Sequence, residues 1–159
     1  MNATTHNHAA CKDSAVKSAE ALCHENGVRL TSIRRRVLEL VWNGHKAVKA
    51  YDILKRLDET DGAQAPTTVY RALEFLQAQG LVHKVESLNA FVGCAHPAAS
   101  MSEDGHDCQL FICDACGDVA ECCDDTVSGK IRENARLAGF RPKRQMLEVH
   151  GTCAGCGAL

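Results

Sequence analysis

The sequence has no hydrophobic run long enough to cross a membrane, and its opening stretch, MNATTHNHAACKDSAVKSAE, has no apolar segment of the kind that directs secretion. A cytoplasmic chain with no membrane partner is therefore expected. A surplus of positive charge is missing as well. The formal net charge of −2 excludes a uniformly basic coat, so any polyanion must be met by a local patch. There is no internal repeat and no charged low-complexity run. No nucleophile, base and oxyanion-binding group fall into a recognisable constellation, so neither an enzyme nor a small-molecule substrate is expected.

Cysteine, by contrast, is plentiful: the 159 residues include 10. In a reducing compartment clustered cysteines are more often metal ligands or catalytic thiols than stable bridges. The 45% hydrophobic content permits a packed core without disulfides, and the length allows two small domains. Charge divides the chain in the same sense. Residues 1–90 hold 12 Lys and Arg against 10 Asp and Glu, whereas 91–159 hold 6 against 10. The first part is the half suited to a polyanion.

Residues 1–13 are polar and read as a disordered tail. From Ser14 to Asn26 the positions Val16, Ala19, Leu22 and Cys23 keep helical spacing, and Gly27 is placed to stop the helix. A second helix follows, capped by Thr31 or Ser32, with Ile33, Val37, Leu40 and Val41 on one stripe and Arg34, Arg35 and Arg36 near its start. KAYDILKRLDET gives a short third helix. PTTVYRALEFLQAQG gives a fourth, opened by Pro66 with a threonine cap and closed by Gly80. At about 100° per residue, Val69, Ala72, Leu73 and Leu76 share one face, which leaves Thr67 and Arg71 opposite, flanked by Thr68 and Tyr70. These side chains suit phosphates and base edges. Solvation alone would also explain such a face. What favours DNA is the pair of short β-rich runs that comes next, LVHKVES and NAFVG, which reads as a hairpin. Helices followed at once by a small hairpin make a winged helix-turn-helix over residues 14–93. Tyr51 and Arg34 are expected as flanking DNA contacts.

CAHPAASMSEDGH is rich in small and polar residues and reads as a linker, 94–107. Beyond it, CQLFICD and GDVAECC are two strands around a CxxC turn, DDTVSGKIRENARLAG is an amphipathic helix, and RQMLEVHG is a strand leading into CAGC. Residues 108–159 are thus a small α/β domain, and the whole chain is of the α+β class.

Cys113, Cys116, Cys153 and Cys156 form two CxxC knuckles. The two-residue spacing turns both thiolates of a pair toward one tetrahedral ion, and four thiolates make a closed structural zinc site. A catalytic dithiol would sit at a helix N-terminus within a βαβ pattern, whereas these turns adjoin strand ends. A zinc deaminase would need an HxE element that the chain lacks. Four closed thiolates sense nothing, and the remaining candidates crowd one hinge: His83, Cys94, His96, His106, Cys108, Glu121, Cys122, Cys123 and His150.

The stretches VRLTSIR, AYDIL, TTVYRALEFL, GLVHKVES, FICDACG and HGTCAGC together resemble the ferric-uptake-regulator family of metal-dependent repressors, and within it most resemble the zinc uptake regulator subfamily. The resemblance implies a homodimer of winged-helix domains joined to a C-terminal dimerisation domain, which binds double-stranded operator DNA and represses zinc-uptake genes when loaded with zinc. It places the structural zinc clamp on Cys113, Cys116, Cys153 and Cys156 and a regulatory zinc on His83, Cys94, His106 and Glu121, two ions per subunit. The sequence departs from the family pattern in three places. GHDC stands where iron-type regulators carry an HHxH run, Ser32 replaces a usual proline, and Cys108, Cys122 and Cys123 crowd the expected sensor. Two imidazoles, a thiolate and a carboxylate suit tetrahedral zinc better than oxygen-preferring ions. The alternatives are a sensor of another metal or of peroxide, a thiol redox protein and a passive zinc store.

Overall fold

The computed structural model describes residues 8–97, 107–143 and 145–157. Four helices come first: α1 (His8–Glu25), α2 (Ser32–Val41), α3 (Ala50–Asp61) and α4 (Pro66–Ala78). The hairpin β1 (Val82–Val85) and β2 (Ala90–Gly93) follows, then β3 (Gln109–Cys113), β4 (Val119–Cys122), α5 (Asp125–Leu137) and β5 (Leu147–Gly151).

Helix α1 buries Val16, Ala19, Leu22 and Cys23 as its periodicity requires. It ends where Gly27 takes φ +64° and Val28 N–H reaches back to Cys23 O at 2.9 Å, a left-handed stop that a Cβ would disfavour. The helix begins at His8, so residues 8–13, expected as part of a disordered tail, are helical. Their polar composition hid a continuation of the helix. Residues 1–7 lie outside the described part.

The cap of α4 is also corrected. Pro66 occupies the first helical position, which makes Ala65 the cap residue and places both threonines inside the first turn, with no side-chain cap bond. Thr31 does cap α2 by position, again without a side-chain bond. The buried face of α4 is Val69, Ala72, Leu73 and Leu76, which joins Val37, Leu38 and Val41 of α2 and Ile53 and Leu57 of α3 in one core.

The hairpin is a divider with two faces. Register pairs Val82 with Gly93, His83 with Val92, Lys84 with Phe91 and Val85 with Ala90. Because side chains alternate along a strand, Val82 and Phe91 turn toward the helices, where both join the first core. His83, Val85 and Val92 turn the other way. There Val85 and Val92 pack with Leu110, Ile112 and Val119 of the C-terminal sheet in a second core. The approach on the helix side is close: a Cβ added at Gly93 would lie 2.3 Å from the Trp42 ring.

The C-terminal sheet has the order β4-β3-β5, with β4 antiparallel and β5 parallel to β3. Leu110 pairs with Glu121 and Glu148, and Ile112 with Val119 and His150, so Glu121, Glu148 and His150 share the face turned to the wing. Phe111, Leu147 and Val149 face away and are exposed. Helix α5 is capped by Asp124, which accepts from Thr126 N at 2.8 Å and Val127 N at 3.3 Å. Its one buried residue, Ser128, takes a 3.2 Å hydrogen bond from Gln109 Nε2.

Candidate metal centres and nucleic-acid face

Among the described residues, three groups of metal-competent side chains, two of them sharing Glu121, and one polar helix face result. The first cluster is the paired CxxC turns. Adjacency of β3 and β5, with Cys113 opposite Gly151, delivers both turns to one end of the sheet. Cys113, Cys116, Cys153 and Cys156 lie with their sulfurs within 4.8 Å of one another, and Cys116 Sγ is 3.8 Å from Cys153 Sγ. Backbone N–H groups of Cys153 and then Cys116 bring the Cys113 thiol down to about 6, whereas contacts with the Cys116 and Cys153 thiols push Cys156 up to about 12. One thiolate forms easily here, whereas the Cys116 and Cys156 thiols are held up by their neighbours and a dication beside them would favour their ionisation. That is the chemistry of a four-thiolate zinc site.

The second cluster straddles the wing and the sheet. His83, on the sheet-facing side of β1, puts Nε2 3.1 Å from Glu121 Oε1 on β4. Cys94, just past β2, has Sγ 3.5 Å from the same oxygen. Glu121 Oε2 accepts a hydrogen bond from Ala95 N at 2.7 Å. The three donors lie within 4.8 Å of one another, and His83 and Cys94 are only 5% and 3% exposed. Burial first, and the Glu121 carboxylate second, hold the Cys94 thiol far above its ordinary range. Nitrogen, sulfur and oxygen donors of this kind fit a tetrahedral zinc ion, which would relieve a carboxylate and a thiol enclosed together. His106 lies outside the described residues.

Other candidates divide. His96 and Cys123 form a neighbouring group with Glu121. Cys108 and Cys123 are bridged to each other, and Cys122 lies on the opposite face of β4. His150 is committed elsewhere: Nδ1 is 2.8 Å from Asp114 Oδ1, and Nε2 is 3.0 Å from Ser87 Oγ. Sequence reasoning missed its companion Glu148, which accepts from Glu86 N at 2.6 Å and Ser87 N at 3.1 Å. Together these two residues fasten the wing turn to β5. A strand residue two positions before a candidate histidine was the available signal, with nothing in its type to mark the role.

On α4, Thr67, Tyr70 and Arg71 are exposed and Thr68 is half-buried. Tyr51, at the start of α3, is 73% exposed. Arg34 is engaged internally, with its guanidinium 3.5 Å over the Phe75 ring and Nη1 donating to Arg29 O at 2.7 Å. As placed it braces α2 against α4, because the face of the Phe75 ring lies under the guanidinium at the start of α2.

A winged helix-turn-helix whose wing shares a His, Cys and Glu cluster with a sheet that ends in four grouped cysteines defines the class of metal-binding winged-helix proteins. Within that class the chain belongs to the ferric uptake regulator family, whose model matches residues 25–150. The zinc uptake regulation protein of Escherichia coli (strain K12) is 42% identical over 138 residues, 87% of this chain and 78% of that protein. Holo XcZur aligns with TM-score 0.83 at 46% identity, covering 92% of this chain and 99% of its own. A zinc uptake regulator complexed with zinc and DNA aligns at 0.82 and 40% identity, covering 91% and 93%. Apo XcZur, also 46% identical over 91% of this chain and 97% of its own, aligns at only 0.52. At equal identity the chain therefore superposes better on the holo than on the apo structure.

Proposed function

We propose that the chain is a zinc-responsive transcriptional repressor that binds double-stranded operator DNA as a homodimer and represses zinc-uptake genes. The observation that carries this reading is the cluster of His83, Cys94 and Glu121 within 4.8 Å. Its members come from both sides of the boundary between the winged-helix and C-terminal domains. The likeness to a zinc uptake regulator complexed with zinc and DNA supports the choice of ligand and partner.

In this reading Cys113, Cys116, Cys153 and Cys156 hold a structural zinc, while His83, Cys94, Glu121 and His106 hold the regulatory one, two ions per subunit. Bound at the second site, zinc supplies a tetrahedral tie that neutralises the buried acid and thiolate. The chain's own residues do the rest. His83 holds one face of the wing to β4, Glu148 and His150 hold its turn to β5, and the helix core holds α4 rigidly to the wing through Val82 and Phe91. Fixing the wing fixes α4 relative to the sheet. In a dimer that sets the spacing of two recognition helices, for which one turn of DNA requires about 34 to 36 Å. Thr67, Thr68, Tyr70 and Arg71 face the groove, with Tyr51 beside them. The exposed apolar side chains Phe111, Leu147 and Val149 on the sheet face turned away from the wing, with Leu137 and Phe140 exposed nearby in sequence on and after α5, suit a dimer contact.

The chain is not an enzyme in this reading, and its place is the cytoplasm. An operator gel shift across buffered free zinc, with iron and manganese as controls and dimer mass measured in parallel, tests it. Operator affinity that rises with zinc and not with the controls is expected; affinity independent of zinc overturns it.

A further inference from the structure

Strand register places two cysteines directly opposite each other at the rim of the His83, Cys94 and Glu121 cluster. Gln109 pairs with Cys122, so the next pair outward is Cys108 with Cys123. Their Cα atoms are 4.5 Å apart, the separation of a non-hydrogen-bonded antiparallel pair and within reach of a disulfide. The two sulfurs are bridged in the structure. Alternation puts both on the wing-facing side with Leu110 and Glu121. Cys108 Sγ is 3.0 Å and Cys123 Sγ 3.7 Å from Glu121 Oε1, the oxygen that also meets His83. Cys108 is buried and Cys123 exposed, with Cys123 Sγ 3.9 Å from His96 Nδ1.

We propose that Cys108 and Cys123 form a reversible thiol–disulfide site that sets the zinc affinity of the regulatory centre, with peroxides as the oxidant class. The proposal rests on the assignment of His83, Cys94 and Glu121 as that centre. Exposure makes Cys123 the sulfur that meets the oxidant. Its thiol attacks the peroxide, taking one oxygen as a sulfenic acid and releasing water from hydrogen peroxide. The Cys108 thiol then attacks that sulfur, forming the S–S bond and releasing a second water. Two thiols are oxidised by two electrons, and one hydrogen peroxide is reduced to two waters. A dithiol reductant reverses the exchange.

The coupling to zinc follows from the shared carboxylate. Cys123 Sγ, His96 and Glu121 already lie within 4.8 Å of one another, so reduction to the thiol offers a soft ligand at the mouth of the buried site. As a disulfide the same sulfur is no longer available as a thiolate, the form that binds metal. Bridging therefore weakens zinc binding, and by linkage zinc opposes bridging by the same factor.

The test uses the full-length zinc-loaded dimer. Operator binding and direct zinc competition are measured across buffered free zinc for the wild type, Cys108→Ser and Cys123→Ser. Each is reduced, treated with hydrogen peroxide, then reduced again, with peptide mass spectrometry reporting the bridge and metal analysis reporting the clamp zinc. In the wild type the zinc midpoint should rise about fivefold or more on bridging and return on reduction, with clamp zinc retained. Cys123→Ser should keep one midpoint throughout, and Cys108→Ser should form no bridge. Cys123, being exposed, carries the test through Cys123→Ser if Cys108 variants do not fold. A bridged wild type with an unchanged zinc affinity overturns the proposal, as does a peroxide shift that persists in Cys123→Ser. Operator binding that ignores zinc even when reduced sinks the repressor reading instead, while direct competition still decides whether the bridge controls zinc.

Discussion

Glu148 on β5 accepts the backbone N–H of Glu86 at 2.6 Å across 62 residues of sequence, and its second oxygen takes Ser87 N at 3.1 Å. A carboxylate that binds two amides of a turn is a clasp between the wing and the sheet, made without metal. Charge-assisted hydrogen bonds of this kind contribute about 1.5 kcal/mol at the weaker, solvent-touched end of their range. Glu148→Ala should therefore shift the equilibrium away from the docked wing by about tenfold. The free zinc needed for half-maximal operator binding should rise by a similar factor, with the clamp zinc retained. An unchanged midpoint would show that the clasp adds nothing to zinc-dependent closure.

The same carboxylate makes the clasp sensitive to acid. Burial acts to raise its pKa, but the Ser87 hydroxyl and the N–H groups of Glu86 and Ser87 outweigh burial and hold it below the usual glutamate value. A depressed acid contributes stability that is present above its ordinary value and is lost as pH falls through the folded one. Hydrogen-exchange protection at the Glu86 and Ser87 amides should accordingly step down below the ordinary glutamate range in the wild type. Glu148→Gln should lack the step. Parallel loss in both proteins would assign the acid response to metal release.

Gly93 has no room for a side chain. A Cβ there would lie 2.3 Å from Cε2 and Nε1 of Trp42, and the next residue is Cys94 of the proposed regulatory site. Gly93→Ala should destabilise the winged-helix domain by about 1 to 3 kcal/mol through overpacking and displace Cys94. Thermal unfolding and zinc affinity should both fall. A fully stable variant would mean that Trp42 moves aside freely.

How much of this was readable in advance differs by element. The buried stripe of α4 needed only a period, and Val69, Ala72, Leu73 and Leu76 kept it. The clustering of the four cysteines was legible because each CxxC pair is local and two adjacent strands bring the pairs together. The start of α1 was not, since residues 8–13 lack an apolar stripe. The membership of the second cluster was legible only through the family resemblance, which named His83, Cys94 and Glu121. Whether His83, His96, Cys123 or His150 meets Glu121 depends on register: one residue of slip in β1 or β4 would turn His83 or Glu121 to the opposite face. The role of Arg34 was hidden for a similar reason, because only tertiary contact shows Phe75 beneath it.

The clamp makes a separate prediction. Cys113→Ser removes the sulfur that backbone N–H groups hold most readily as thiolate, at about 6, so the remaining three cannot close a tetrahedron. Zinc binding there is folding free energy. The variant should lose one zinc per subunit and unfold at lower temperature, and Cys153→Ser should do the same. Because binding requires thiolates, clamp zinc should also be lost as acid returns protons to the sulfurs. Metal content and thermal denaturation check both. Full stability with altered redox behaviour alone would contradict a structural role.

Arg71 projects from α4 opposite its buried face and is exposed, so its removal should cost the fold little. If it pairs with a guanine edge, Arg71→Ala should weaken specific operator binding by about 1 to 3 kcal/mol and relax preference at one base position. Dimer mass and zinc content should be unchanged. The comparison that matters is between operator and random DNA at matched salt, because losing a phosphate contact weakens both alike and flattens their dependence on ionic strength. A loss confined to the operator places Arg71 on a base. An equal loss on both, with a shallower salt slope, places it on the backbone and leaves base reading to Thr67, Thr68 and Tyr70.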